Sequence, residues 1–270
     1  MVSLLGGEPF QWSDWESVAL RLVQLGLKVS ATTNGLALED PRIAQQVVRY
    51  MDEITFSIDG LSYLHDSLRA MPGMHQRLEQ IVQRVIALRV DRRPLIRVNS
   101  VLTRHNIDQF ESFAHQMADW GADQLTYNQL GGNDRPSFYP HNRLLETQIK
   151  NFRKAFPRWQ SDLRRRGLDL RGSDGYLHRI ECTSRSEAIA IEDCSPADGF
   201  LFVDELGRAS PCSFTSDSLG VAIDTLTNAA AIESLTERWQ QQRKQSRPKA
   251  CDDCHATHIH SKFVQLGSKL

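Results

Sequence analysis

The consecutive stretches VSLLGGEP (2–9), SDWESVALRLVQLG (13–26) and KVSATTNG (28–35) hold the key to the fold. The first is an apolar run that ends in glycines. The second places apolar residues at helical spacing. It opens on Ser13 with Glu16 three residues later, which predicts a capping box, and Gly26 closes it. The third is rich in β-branched residues and stops at Asn34-Gly35. A strand, a helix and a second strand with short connections begin a parallel sheet, because parallel neighbours need a crossover between them.

Outward from there the unit recurs. Helices are predicted over 41–50, with proline at the first position, and over 74–90 and 105–121. Strands are predicted over 53–60, 94–103 and 122–130. Such alternation argues a parallel sheet with helices outside, and several strands look apolar on both faces, as expected when both are covered. Each strand ends in small or polar residues: GGEP, TTNG, SIDG, NSVLT, TYNQ. In parallel α/β folds ligands bind at the carboxyl ends of the strands, so these tips are the first candidates for chemistry.

Beyond residue 131 the pattern changes. A helix or helix pair is predicted over 143–167, interrupted at Pro157. From 175 the chain reads as irregular and β-rich. EAIAIEDC, GFLFVDELG and RASPCSF are taken as strands, with a tight turn at Leu206-Gly207. A helix over 224–245 follows, then CDDCHATHIH. Two domains are expected, 1–170 and 171–270.

Bulk composition narrows the function classes. The 270 residues include 32 basic and 33 acidic side chains and a net charge of −1. No basic surplus favours nucleic acid or an anionic membrane as partner. No apolar run approaches the ~20 residues of a membrane span, and the N-terminus has no basic, signal-like region. A cytoplasmic protein is expected. The closing SKL (268–270) matches a peroxisomal address in letters, which three residues can do by chance.

Of five cysteines, four are tightly arranged: Cys194 and Cys212 frame CSPADGFLFVDELGRASPC, and Cys251 and Cys254 frame CDDC. Without an export signal, such spacing points to a metal or an iron–sulfur cluster rather than disulfides. By count alone four thiolates suit tetrahedral zinc or an iron–sulfur cluster. Cys182 is left over and is expected to be a buried, inert thiol. His255, His258 and His260 are expected to lie on a solvated tail.

Taken in order, GGEP (6–9), TNG (33–35), SIDG (57–60), IRVNSVLTRHN (96–106) and GADQLTYN (121–128) resemble the radical S-adenosylmethionine (SAM) superfamily. The resemblance implies an α/β fold, a partial (β/α)6 barrel with SAM across the strand tips. Gly6, Gly7, Glu8 and Pro9 would hold the methionyl amino group. Ser57 with Arg97 or Asn99 would reach ribose and carboxylate, and Asn34 and Asp59 belong to the same cofactor set. The GADQLTYN strand would border the adenine. The pattern C194-x12-G207-x4-C212 with C251-x2-C254 is similar to the SPASM and twitch extensions of that superfamily. It implies a small C-terminal domain of hairpin and helix in which the four cysteines ligate an auxiliary [4Fe–4S] cluster. His260 stands where a fuller cysteine set would continue, which implies the one-cluster twitch form. Also implied are a peptide or small-molecule substrate, an oxidoreductase or modifying reaction, and a reductant such as flavodoxin or ferredoxin.

The superfamily's defining C-x3-C-x2-C occurs nowhere in these residues. A second [4Fe–4S] cluster, the one that cleaves SAM, would need a segment that supplies it. The expectation is a barrel missing its first strand–helix unit, from a longer protein. The alternatives are a degenerate paralogue that binds without catalysis and a zinc-stapled interaction protein.

Overall fold

A computed structural model describes residues 1–132, 134–195 and 199–263. Residues 196–198 of the expected hairpin and the SKL at 268–270 lie outside the described residues. The chain forms two compact units, one of Met1–Gly172 together with Phe263, the other of Ser173–Lys262.

In the first unit the elements run β1 (Val2–Leu4), α1 (Trp15–Gln24), β2 (Val29–Thr33), α2 (Pro41–Tyr50) and β3 (Glu53–Ser57). Then come α3 (Ser62–Arg69), α4 (Met74–Leu88), β4 (Leu95–Leu102), α5 (Phe110–Asp119) and β5 (Gln124–Gln129). Finally α6 (Tyr139–Asn142), α7 (Glu146–Arg165) and β6 (Asp169–Leu170) complete it. All six strands are parallel and stand in sequence order β1-β2-β3-β4-β5-β6.

That order has a geometric consequence. Crossovers between parallel strands are right-handed. Strands added always on the same side therefore place every crossover helix on one sheet face. The registers agree. One face carries the rows Ala31–Ile54–Ile96 and Phe56–Val98–Leu125–Leu170. All seven of these side chains are buried. The other face carries the rows Thr32–Thr55–Arg97–Gln124–Asp169 and Ser57–Asn99–Thr126. The expectation of strands apolar on both faces is thus corrected. The sheet has one apolar face and one polar face, and β4 alternates partly exposed and buried along its whole length.

Other departures have local causes. The capping box at Ser13 does not form, because α1 begins later. Asp14 is its N-cap, without a side-chain cap bond, and the Ser13 hydroxyl donates to Asp14. Pro157 does not interrupt α7, which runs unbroken with Ile149, Phe152, Phe156, Trp159 and Leu163 buried along one side. Burial of that stripe outweighs the lost backbone bond, about 3 kcal/mol.

The second unit contains α8 (Asp174–Ser184), β7 (Phe202–Val203), β8 (Arg208–Ser210), α9 (Ser216–Leu219), β9 (Val221–Ala222), α10 (Ala229–Glu233) and α11 (Leu235–Gln245). The start expected to be irregular is helix α8, capped by the Ser173 hydroxyl, which accepts from the Tyr176 backbone N–H. Residues 188–194 form no strand. The hairpin strands are only two or three residues long, and β9 adds a third antiparallel strand. The helix expected over 224–245 is divided at Ser234 into α10 and α11. Leu219, Val221, Leu235 and Trp239 form a small core, pinned by Trp239 Nε1–H donating to the Leu219 carbonyl at 2.7 Å.

Candidate functional site: a polar strand-tip face and a thiol cavity

At the carboxyl tip of β1 the chain turns through Gly6, whose φ of +99° favours glycine. A Cβ built on Gly6 or Gly7 would meet nothing within 4 Å, so the backbone here is open to a ligand. Glu8 is N-cap of the short turn Pro9–Gln11. Its carboxylate is fastened to the tip of β2: Oε1 accepts from the Thr33 hydroxyl at 2.6 Å, and Oε2 from the Asn34 backbone N–H at 2.7 Å. Asn34 Oδ1 in turn accepts from Leu36 N–H. An ionised carboxylate has about four acceptor positions. Glu8 is thus a fixed anion with capacity left for an ammonium group.

At the next tips, Ser57 and Asn99 are register partners on the polar face, and the Thr126 hydroxyl donates to Asn99 Oδ1 at 2.9 Å. Asp59 is engaged as structure. Its carboxylate accepts from Val101 N–H at 2.8 Å and pairs with Arg69 at 2.7 Å. Its carbonyl accepts from Asn106 Nδ2, and its N–H donates to His65 Nδ1 at 3.0 Å. His65 is fully buried, and burial pushes its pKa down to about 4.

Arg97 departs from expectation. Its guanidinium reaches toward the amino end of the sheet, where it pairs with Glu53 through both Nη atoms and donates to Gln124. It also lies over the Phe263 ring, 5.2 Å from its centroid. Burial pulls its pKa down and the Glu53 carboxylate opposes that. Glu53 and Gln124 are the first residues of their strands. A side chain so committed points away from the tips, and Asn99 is the better-placed partner for Ser57.

In the second unit Cys194, Cys212, Cys251 and Cys254 all line one cavity. Its walls are otherwise mostly apolar, with Ile191, Pro211, Leu219 and Ile259 among them. The thiols are brought there by backbone pairing that spacing does not reveal. Cys254 N–H donates to the Ile189 carbonyl at 2.8 Å and Ile191 N–H to the Cys251 carbonyl at 3.2 Å. The 188–194 segment therefore pairs with the CDDC loop rather than with the hairpin. Fully buried Arg179 on α8 pairs with Asp253, which also accepts from Ile189 N–H. Arg247 Nη2 donates to the Ile191 and Cys251 carbonyls. Cys212 Sγ lies 3.3 Å from the Thr215 hydroxyl, and Arg243 Nη1 donates to Cys194 Sγ at 3.3 Å. Burial pushes the Cys194 and Cys254 thiols up; at Cys194 the Arg243 charge opposes it.

The three histidines are not a solvated tail. His260 is buried and bonds the Cys254 carbonyl through Nε2 at 3.1 Å, His258 stacks on Phe200, and His255 bonds Asp253. Cys182 lies apart from the cavity wall, buried and 3.6 Å from His178 Nε2, and burial pushes its thiol up. Among the described residues no three His, Cys, Asp or Glu side chains stand close enough to hold a single metal ion. By donor set, four cysteines lining one cavity suit either tetrahedral zinc or an iron–sulfur cluster. Sequence reasoning missed Arg243, Arg179 and Thr215, which sit in ordinary polar helices and turns; only the fold places them against the thiols.

Among the described residues no helix is long and apolar enough to cross a membrane. No family model matches the chain. A probable GTP 3′,8-cyclase of Sulfurisphaera tokodaii is 29% identical over 147 residues, 53% of this chain and 45% of that protein. An AdoMet-dependent heme synthase of Methanosarcina barkeri is 22% identical over 232 residues, 78% of this chain and 62% of that protein. The chain thus spans roughly half of the curated relatives it matches. Among solved structures, Streptococcus suis SuiB bound to the precursor peptide SuiA superposes with TM-score 0.64 at 14% identity, over 91% of this chain and 56% of SuiB. anSMEcpe with bound AdoMet superposes with TM-score 0.64 at 18% identity, over 96% of this chain and 70% of that one. At such identity the solved structures speak for the α/β fold alone.

Proposed function

We propose that this chain is the SAM-binding and auxiliary-cluster portion of a radical SAM enzyme of the SPASM/twitch kind, acting on a peptide or a small molecule. The observation that carries the proposal is the convergence of Cys194, Cys212 and the Cys251/Cys254 pair on one cavity. In the strand-tip site, Gly6 and Gly7 let the ligand approach the backbone, and Glu8 accepts from the methionyl ammonium. Pro9 fixes the turn that aims Glu8. Ser57 and Asn99 offer a hydroxyl and an amide to the ribose, and the polar sheet face keeps those groups in water until substrate enters. Asn34 and Asp59 hold the tips in place. The four cysteines would hold a [4Fe–4S] cluster as thiolates, and Arg243 and Thr215 would border it.

A cluster with an open iron supplies, when bound, the electron that cleaves SAM. None of the five cysteines falls into C-x3-C-x2-C, so those three thiolates must come from outside these 270 residues. That same observation favours a second reading, a paralogue that binds SAM or peptide without cleaving it. Support for peptide as substrate comes from solved neighbours whose complexes contain one, SuiA in SuiB and Kp18Cys in anSMEcpe. Electrons would come from a flavodoxin or ferredoxin in the cytoplasm.

The test is anaerobic purification followed by iron, sulfide and zinc assays. Iron with labile sulfide is expected; zinc without sulfide would sink the cluster assignment. Formation of 5′-deoxyadenosine from SAM under dithionite, by this chain alone, would eliminate the need for an outside segment. Its absence with intact SAM binding fits both readings, and adding a peptide that carries the C-x3-C-x2-C motif separates them: restored cleavage favours the enzyme, continued silence the binding protein.

A further inference from the structure

Arg243 is an unusual neighbour for a set of thiols. It is 8% exposed and sits on α11, where it is buried with Leu235 and Trp239 while Glu237, Arg238, Gln241, Lys244 and Gln245 are exposed. Its guanidinium has five N–H donors in a rigid plane. Nη2 is used on the Ile191 and Glu192 carbonyls at 2.9 and 3.2 Å, and Nη1 on Cys194 Sγ at 3.3 Å. Nε is buried with no hydrogen-bond partner among the described residues. The side chain lines the same cavity as the four cysteines. An unmade hydrogen bond from a buried charged donor is costly, and a buried cation needs a counter-charge. No carboxylate pairs with it: among the described residues its partners are two carbonyls and one sulfur. A negatively charged group in the cavity that this side chain lines would meet the unpaired charge.

We infer that Arg243 is a positioning and potential-tuning residue of the proposed cluster, its guanidinium supplying the counter-charge and N–H donors to cluster sulfur. The inference rests on the cluster reading above. A [4Fe–4S] core held by four thiolates carries net negative charge, and reduction adds more. A buried cation that donates to sulfur stabilises the reduced form over the oxidised one and so raises the reduction potential. The same contacts to the 191 and 192 carbonyls fix the approach of Cys194, two residues further along the chain. No covalent step is involved.

The experiment uses the full chain, anaerobically reconstituted, with iron and sulfide counted before each measurement. The midpoint potential is read by redox titration with electron paramagnetic resonance. With cluster content matched to wild type, Arg243→Gln is expected to shift the midpoint negative, and Arg243→Lys, which keeps the charge but loses the fork, to recover part of the shift. Equal midpoints in wild type and Arg243→Gln overturn the inference and leave the cluster reading standing. A wild-type chain without sulfide-bearing iron overturns both. Because Arg243→Gln can lose the cluster outright, a second measurement uses the unsubstituted protein grown with 15N-guanidino arginine. A 15N coupling to the reduced cluster in pulsed resonance is expected; its absence defeats the claim whatever the variants do.

Discussion

At the strand tips, Glu8 arrives with two short hydrogen bonds already made and Asp59 with four groups bonded to it. Around the thiol cavity, Arg243 Nε has no hydrogen-bond partner among the described residues and two thiols are held above their ordinary pKa by burial. The first region rests on a six-stranded sheet with long buried rows. The second has strands of only two or three residues, with one small cluster of four buried side chains beside them. One site is therefore preorganised by the fold; on the proposed reading the other is completed by its cluster.

The largest expected effect breaks this comparison directly. Stripping metal by chelation should strongly reduce amide-exchange protection in β7, β8 and the CDDC loop while that of β2 to β5 stays unchanged. Uniform loss across both units would show that the contrast is wrong. Cys251→Ser should mimic chelation and lower the iron and labile sulfide recovered with the protein. Next, Asp59→Ala should cost about 1–3 kcal/mol in thermal or denaturant unfolding, since it leaves the Val101 N–H without its acceptor and takes the partner from half-exposed Arg69. A loss under 1 kcal/mol, on the scale of an exposed ion pair, would refute its structural role.

The pH dependence sharpens the picture of the first unit. His65 has a folded pKa of about 4, below the 6.5 of the unfolded chain. The unfolded state therefore binds the proton first, and stability is full above pH 6.5 and lost as pH falls toward 4. The loss attributable to His65 is at most roughly 3 kcal/mol at 1.36 kcal/mol per unit. His65→Asn should flatten the slope of unfolding free energy over that window; an unchanged slope assigns it to the carboxylates. The smallest effect is on ligand affinity. Glu8→Ala should weaken SAM binding about tenfold, close to 1.4 kcal/mol, as measured by calorimetry. Undiminished affinity would remove Glu8 from the site.

Much of the sheet was legible because its strands are β-branched runs closed by glycine or asparagine turns, as in KVSATTNG and EITFSIDG. Which face is polar was not, since Thr32, Thr55 and Thr126 look strand-like on either face, and only the strand order decides where helices go. β6, two residues long, and the pairing of residues 189–191 with the CDDC loop leave no periodic trace. The polar tips were readable as a series, but reach was not. Arg97 looked suited to a carboxylate on the cofactor until Glu53, a strand away at the amino end, turned out to hold it. The cysteines announced themselves by spacing; the arginines that hold their loops sit far off in sequence and pass for ordinary helix charge.

The sequential strand order also bears on how the protein is made. Each strand of the first unit pairs only with the strand before and the strand after it in the chain. Contacts of that kind close short loops, which keeps the search fast for a parallel sheet. As synthesis proceeds from the N-terminus, each new strand–helix pair finds its template already standing. The long-range step comes at the end, when Phe263 returns to lie over Arg97 and its carbonyl accepts from Arg171. Assembly of the sheet can thus keep pace with the ribosome, and the closing contact waits until the cysteine-bearing segment has emerged.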